Sequence, residues 1–332
     1  MRVLVTGGAG YVGSHTVRLL LEAGHEVTVY DNLVYGHRAA VPCPLVVGEL
    51  ADRERLVATL AAGRFDAVLH FAAYAYVGES VADPAKYYHN NLADGLALLD
   101  AMRAQGVDRI VFSSTCAIYG EPTRLPITED TLQLPANPYG ETKLAFERAL
   151  RWYGRAYGLR SVSLRYFNAA GAHPDGSLGE DHTPETHLIP LVLRVALGQA
   201  PHVEIYGTDY ATPDGTCLRD YVHVLDLAAA HLLALDKLAT PGEALAYNLG
   251  AGRGISVREV IAACERVTGR RIPVVEAARR AGDPPALYAD NRRARGELGW
   301  VPRLSDLDTM VATAWEWHRR HPTGFDEPPA AR

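Results

Sequence analysis

A chain of 332 residues, 48% hydrophobic and 22% charged, has the make-up of a globular protein and the length for two domains or one elaborated domain. Its net charge of −6 argues against a surface that coats nucleic acid, and no apolar run reaches the roughly 18 residues of a membrane-spanning helix. Cys43, Cys116, Cys217 and Cys264 show no C-x-x-C or Cys/His spacing and the histidines form no H-E-x-x-H pair, so free thiols in a reducing cytoplasm are expected and no metal-ligand set is predicted.

Arg2–Thr6 is a short apolar run leading directly into Gly7-Gly-Ala-Gly-Tyr-Val-Gly13, which reads as a first strand rather than a signal peptide. The glycines satisfy G-x-G-x-x-G from Gly8 and G-x-x-G-x-x-G from Gly7. Tyr11, Val12, Val17, Leu19, Leu20 and Leu21 give the following helix an apolar face that ends at Gly24. Glu26–Asp31 is a second strand closing on a carboxylate. Strand, glycine turn, helix and acidic strand end in this order form a dinucleotide fingerprint: backbone N–H groups meet a pyrophosphate at the helix start, and Asp31 accepts from the ribose hydroxyls. Asp31 would repel a 2′-phosphate, which favours NAD over NADP, although His37 and Arg38 lie nearby.

Alternation continues. Leu45–Val47 is expected as a strand, 52–62 as a helix, 66–73 as a strand, 84–105 as one long helix and 109–114 as a strand. Residues 138–157 form a helix with Pro138 in its first turn, and 160–167 another strand. The class is therefore α/β, a Rossmann-type doubly wound parallel sheet, with ligands beyond the carboxyl ends of its strands. Residues 172–185 read as an irregular excursion and 186–197 as a helix. Strands at 219–224 and 246–249 flank a helix at 226–238 and are expected to return to the large sheet. Ser256-Val-Arg-Glu259 is a capping box for a helix ending near Gly269, 304–321 is a final helix, and the Pro-rich tail is expected to be disordered. This assigns 1–168 to an NAD-binding domain, with 219–250 returning to it, and 169–332 to a smaller C-terminal substrate-binding α/β domain.

Chemistry concentrates in Tyr139-Gly-Glu-Thr-Lys143. A tyrosine and a lysine four apart share one helix face, where an ammonium favours the phenolate and fits the phenol for general-base work. The lysines of the chain are Lys86, Lys143 and Lys237, so the pairing is not a product of lysine abundance.

With Gly7, Gly10, Gly13, Tyr139 and Lys143 in place, the chain resembles the extended short-chain dehydrogenase/reductases, the family of NAD-dependent epimerases and dehydratases. Within it the chain is most similar to the UDP-glucose 4-epimerases. The blocks that carry the likeness include His70-Phe-Ala-Ala73, Tyr87-Tyr-His-Asn-Asn91, Asn137-Pro-Tyr-Gly140, Leu164-Arg-Tyr-Phe-Asn-Ala-Ala-Gly171, Asp214-Gly-Thr-Cys-Leu-Arg-Asp-Tyr221 and Arg279-Arg-Ala-Gly-Asp283. The resemblance implies an isomerase that holds NAD, a UDP-sugar as substrate, and a homodimer formed through the helices at 84–105 and 138–157. It implies that Tyr139, Lys143 and Thr115 are catalytic. For the cofactor it implies Gly7, Gly10, Tyr11, Val12, Gly13, Asp31, Asn32, Glu49, Leu50, Phe71, Ala72, Ala73, Asn90 and Phe167, together with Tyr139 and Lys143. For the UDP-sugar it implies Asn168, His187, Leu188, Glu204, Tyr206, Arg219, Tyr221, Arg280 and Asp283, together with Thr115 and Tyr139.

Departures from the family pattern are Ala75 in place of a lysine, Glu49 in place of an aspartate, and His187 in place of an asparagine. Leu287 stands at the position that gates the sugar 2-substituent, which leaves UDP-N-acetylglucosamine and UDP-pentoses open beside UDP-glucose. Cys116 and Ala117 follow Thr115 where a 4,6-dehydratase needs an acid and a base, so elimination is disfavoured. An NAD-sensing binding protein would need no general base.

Overall fold

The computed structural model describes residues 1–238, 243–280 and 283–325. The Pro-rich tail after Phe325, and Ala281 and Gly282 of the Arg279–Asp283 block, lie outside the described residues.

Strand β1 (Arg2–Thr6) buries every residue after its first, with Val3 and Val5 on one face of the sheet and Leu4 on the other. Helix α1 (Tyr11–Glu22) follows, then β2 (Glu26–Asp31), β3 (Leu45–Val47), α2 (Arg53–Gly63, capped by Asp52) and β4 (Ala67–His70). Beyond them come α3 (Val77–Ala82), α4 (Pro84–Tyr87), α5 (Asp94–Ala104), β5 (Arg109–Thr115), α6 (Pro138–Tyr157) and β6 (Arg160–Tyr166). A last strand, Ala244–Leu249, returns to pair with β6. The order across the seven-stranded sheet is Ala244–Leu249, β6, β5, β4, β1, β2, β3, and every pairing is parallel.

Such a sheet must be covered on both sides. On one face α1 and the helix Val224–Lys237 bury Val17, Leu20, Leu227 and Ala230 against Val3, Val5 and Val29; on the other, α2, α5 and α6 bury Leu56, Leu60, Leu98, Met102, Phe146 and Leu150 against Leu4, Val68 and Phe112. From β1 the chain winds outward through β2 and β3, then restarts on the other side at β4. The crevice at that reversal, between the turns after β1 and β4, is where an open α/β sheet takes its ligand.

Several expectations need correction. The strand foreseen at 219–224 does not join the large sheet. Leu218–Arg219 lies between Ile255–Ser256 and Ala286–Leu287, and Tyr221–His223 pairs with Asn168–Ala170. Among the described residues of this segment, Ala244–Leu249 is the strand that returns. The single helix at 84–105 is interrupted by a widened π turn, Tyr88–Ala93, between α4 and α5. Asn91 in that turn is drawn onto the loop after β4, where its amide accepts from Tyr74 N at 2.9 Å and donates to Tyr74 O at 2.9 Å. A further pair, Val203–Tyr206 with Val274–Ala277, was not foreseen.

The remaining helices, Leu188–Ala196, Val257–Thr268 and Leu307–Arg320, pack around Val192, Leu193, Val260, Met310 and Val311 into a second core beside the crevice. The capping box of Ser256 and Glu259 is formed in both directions, and Gly269 ends that helix with φ of 66°.

Candidate active site

The crevice opens into a cavity of about 470 Å³ lined by Asp31 and Glu49 from the β2 side of the sheet and by Arg219 and Asp283 from the C-terminal part of the chain. At its floor the glycine turn meets α1. Gly10 is the N-cap, no side chain caps the helix and its first turn carries no acid, so the first N–H groups face the cavity as a ready anion site. A Cβ on Gly13 would lie 2.2 Å from Gly7 O, which explains that glycine by packing alone. A Cβ on Gly10 would meet protein only at an ordinary 3.5 Å, so packing makes no demand there; the space it leaves is on the ligand side. The cradle therefore fits a dinucleotide pyrophosphate.

Asp31 is buried and accepts from Ala9 N at 2.9 Å and Leu33 N at 2.8 Å, which ties the glycine turn to the end of β2. Burial raises its carboxyl above the usual range while these N–H groups hold it down. Glu49 reaches back to the Asn32 amide at 3.0 Å, and Leu50 lies beside it on the cavity wall. Phe71, Ala72, Ala73 and Asn90 line the cavity, as does Phe167, the residue after β6. Every residue expected to hold the cofactor faces this one cavity.

Thr115, Tyr139 and Lys143 face the same space. Asn137 caps α6 by accepting from Gly140 N at 2.9 Å, and Pro138 occupies its first turn. Lys143, 3% exposed, donates to Ser113 O at 2.8 Å, and its Nζ lies 5.9 Å from the centre of the Tyr139 ring. Burial pulls the ammonium down to about 7, against the opposing pull of Glu147. Burial also pushes the Tyr139 phenol above its ordinary value, with Thr115 drawing it partly back. Here the expectation from spacing must be corrected. Proximity alone does not make Tyr139 acidic, because desolvation in the low-dielectric cleft exceeds the help of its neighbours.

Beneath the pair lies a network that sequence reasoning missed. Glu147, one turn after Lys143, accepts from Ser114 Oγ at 2.6 Å and from Arg165 Nη2 at 2.6 Å, and Arg165 donates on to Tyr119 Oη at 2.8 Å. Both charges are almost fully buried, at 3% and 4% side-chain exposure. The pair fastens α6 to β6 and so fixes where Tyr139 and Lys143 stand. Its partners are 18 residues apart, and no local pattern announces the contact.

Of the residues expected to hold the UDP-sugar, Asn168, His187, Arg219 and Asp283 face the cavity, while Leu188, Glu204, Tyr206, Tyr221 and Arg280 are not part of its lining. Arg219 donates to Pro284 O at 2.9 Å and to Asp283 Oδ1 at 3.3 Å. Arg280 instead stacks on the Tyr206 ring at 3.9 Å, and Tyr221 is buried in its short strand. Ala75 and Leu287 also line the cavity. Cys116 carries a thiol raised to about 12 by burial, unsuited to acid–base work at neutral pH.

A second feature escaped the sequence reading, which saw no histidines at ligand spacing. Glu180, His182, Glu185 and His187 converge ahead of the helix Leu188–Ala196, and all but Glu185 line the cavity. Although desolvation opposes it, Glu180 and Glu185 hold His182 up at about 9 and His187 at about 10.

Comparison with known proteins agrees with this geometry. Residues 3–250 match the model of the NAD dependent epimerase/dehydratase family. The chain belongs to that family. It is 52% identical to a UDP-glucose 4-epimerase of Halalkalibacterium halodurans over 326 residues, 98% of each chain. Among solved structures it is similar to the UDP-glucose 4-epimerase of Brucella ovis in complex with NAD, at 55% identity and a TM-score of 0.92 over 95% of this chain and 98% of that one. It is also similar to the enzyme of Bifidobacterium longum in complex with NAD+ and UDP, at 42% identity and a TM-score of 0.94 over 98% of this chain and 100% of that one. Family membership accounts for the glycine cradle and the Tyr139/Lys143 pair sharing one cleft.

Proposed function

We propose that the chain is an NAD-dependent isomerase that interconverts UDP-glucose and UDP-galactose by inverting C4 through a 4-keto sugar. The observation that carries this reading is that Thr115, Tyr139 and Lys143 line the same cavity as the dinucleotide cradle and as Arg219 and Asp283. Tyr139 Oη takes the proton of the sugar 4-hydroxyl, and Thr115 steers that hydroxyl by hydrogen bonding. NAD, held by the glycine turn and Asp31, would supply a reversible hydride acceptor and donor for C4 and a positive charge in the same cavity as Tyr139. The cavity holds the 4-keto sugar while it turns over, and Tyr139 gives the same proton back to the 4-oxygen. Atoms and electrons balance with no net oxidant. Because burial holds Tyr139 protonated, the positive charges of Lys143 and the nicotinamide are needed to bring it into use. The guanidinium of Arg219 suits the diphosphate.

In this reading residues 1–168 with Ala244–Leu249 are the cofactor side and most of 169–332 the sugar-nucleotide side. The exposed aromatics Trp152 and Tyr157 on α6 support a homodimer through α5 and α6, which light scattering tests. The four unpaired cysteines, and the finding that no described helix is long and apolar enough to cross a membrane, support a cytoplasmic setting.

Leu287 at the cavity wall favours a second reading in which a sugar bearing a 2-N-acetyl group is also accepted. The test is to purify the protein, measure bound NAD, and follow turnover of UDP-galactose, UDP-N-acetylglucosamine and UDP-xylose. Conversion of UDP-galactose to UDP-glucose is expected. A stable 4-keto-6-deoxy product, or bound NAD without turnover of any UDP-sugar, would overturn the proposal.

A further inference from the structure

The loop between Asn168–Ala170 and the helix Leu188–Ala196 carries the spacing Glu180-x-His182-x-x-Glu185-x-His187. Its four side chains place one ligand-type atom each within 4.8 Å of all the others. Nδ1 of His182 is 3.2 Å from Glu180 Oε1 and 3.7 Å from Glu185 Oε2, and Nδ1 of His187 is 2.7 Å from Glu180 Oε1 and 3.2 Å from Glu185 Oε1. Taken to either oxygen of Glu185, these carboxylate–imidazole separations lie near the ~3.3 Å between ligand atoms set about 2.0–2.1 Å from a zinc ion, so a small movement of the side chains would bring them to it.

The independent observation is the state of the donor atoms. Glu180 is 4% exposed, and its Oε1, with Nδ1 of both histidines, is buried without a hydrogen bond. The distances are short, yet the groups do not meet along hydrogen-bonding directions. These buried atoms meet one another as ion pairs without hydrogen-bond geometry, an arrangement in which one metal ion can replace the two imidazolium protons, and two imidazoles with two carboxylates make the borderline donor set that zinc takes. The surroundings also fix the ligands. Glu185 Oε1 accepts from Thr186 N at 2.6 Å and His187 N at 2.7 Å, and the His182 ring lies edge-on to Tyr11 and Tyr76 at 6.2 Å and 6.4 Å.

We propose that Glu180, His182, Glu185 and His187 form a binding site for one divalent transition-metal ion of the zinc class. With all four corners supplied by protein the site is structural. It cross-links the loop and sets His187 at the wall of the substrate cavity. The catalytic residues lie on other elements, so metal binding and epimerisation are measured separately.

The experiment uses the full chain with its bound NAD, stripped of metal by dialysis against a chelator and then titrated with Zn²⁺ against a chromogenic competitor. One Zn²⁺ per chain is expected, with a rise in melting temperature, and His182→Gln and Glu185→Gln should each weaken binding by more than about 100-fold. NAD content reports that each variant is folded, and the two variants are independent of one another. Co²⁺ in the same site should give tetrahedral visible bands without a thiolate charge-transfer band, which separates it from binding at the cysteines. A thiolate band, equal Zn²⁺ affinity in folded variants, or no Zn²⁺ retained by the wild-type chain would overturn the proposal.

Discussion

Replacing Glu147 by glutamine keeps the shape of the side chain and removes its charge. In the folded chain that carboxylate meets Ser114 Oγ at 2.6 Å, Arg165 Nε at 2.9 Å and Arg165 Nη2 at 2.6 Å, all away from solvent. The variant leaves the Arg165 guanidinium buried at 4% exposure without a countercharge, a change that costs about 3–5 kcal/mol. That is a large part of the ~5–15 kcal/mol by which a domain is stable. Urea denaturation at neutral pH measures the loss directly. The same carboxylate holds the Lys143 ammonium up against burial, so Glu147→Gln should also let Lys143 fall below about 7 and move the alkaline limb of activity to lower pH. Adding Arg165→Met to the first change should recover much of the stability, because no charge is then stranded. A loss under about 1 kcal/mol for Glu147→Gln would place the pair with surface ion pairs and refute its role as the fastening of α6.

Lys143→Met should raise the pH at which activity appears, since the phenol loses a positive neighbour. The same variant carries a stability signature. Burial pulls the lysine from 10.5 to about 7, so its desolvation cost is fully present below about pH 7 and fades as pH rises toward 10.5. The methionine variant should therefore gain most over wild type near pH 6 and least near pH 10 in thermal melts; the opposite trend would contradict the buried-ammonium picture. Gly13→Ala puts a methyl group 2.2 Å from Gly7 O and should leave the purified protein with less than about a tenth of the wild-type NAD. A full complement of NAD in that variant would show that the turn tolerates repacking.

What the sequence made legible was periodic or local. The glycine turn, the carboxylate closing β2, the proline-led helix at 138–157 and the Ser256 capping box are short-range signals, and each stands where its pattern put it. The π turn at Tyr88–Ala93 was not legible, because it answers to Tyr74 in a distant loop. The strands at Leu218–Arg219, Ile255–Ser256 and Ala286–Leu287 span two residues each, too few to show alternation. The acidity of Tyr139 was read from spacing, whereas burial, which spacing does not report, sets its direction. Glu180, His182, Glu185 and His187 were visible as letters, but only the fold of their loop turns the four side chains toward one another.

The central claim is that one oxygen, Tyr139 Oη, both removes and returns the sugar proton. Its most direct test is turnover of UDP-galactose by Tyr139→Phe, with NAD content and UDP binding measured on the same preparation. The claim predicts wild-type NAD and UDP binding with kcat lowered by about 10³-fold or more. A variant that binds both ligands and keeps kcat within about tenfold of wild type would contradict it.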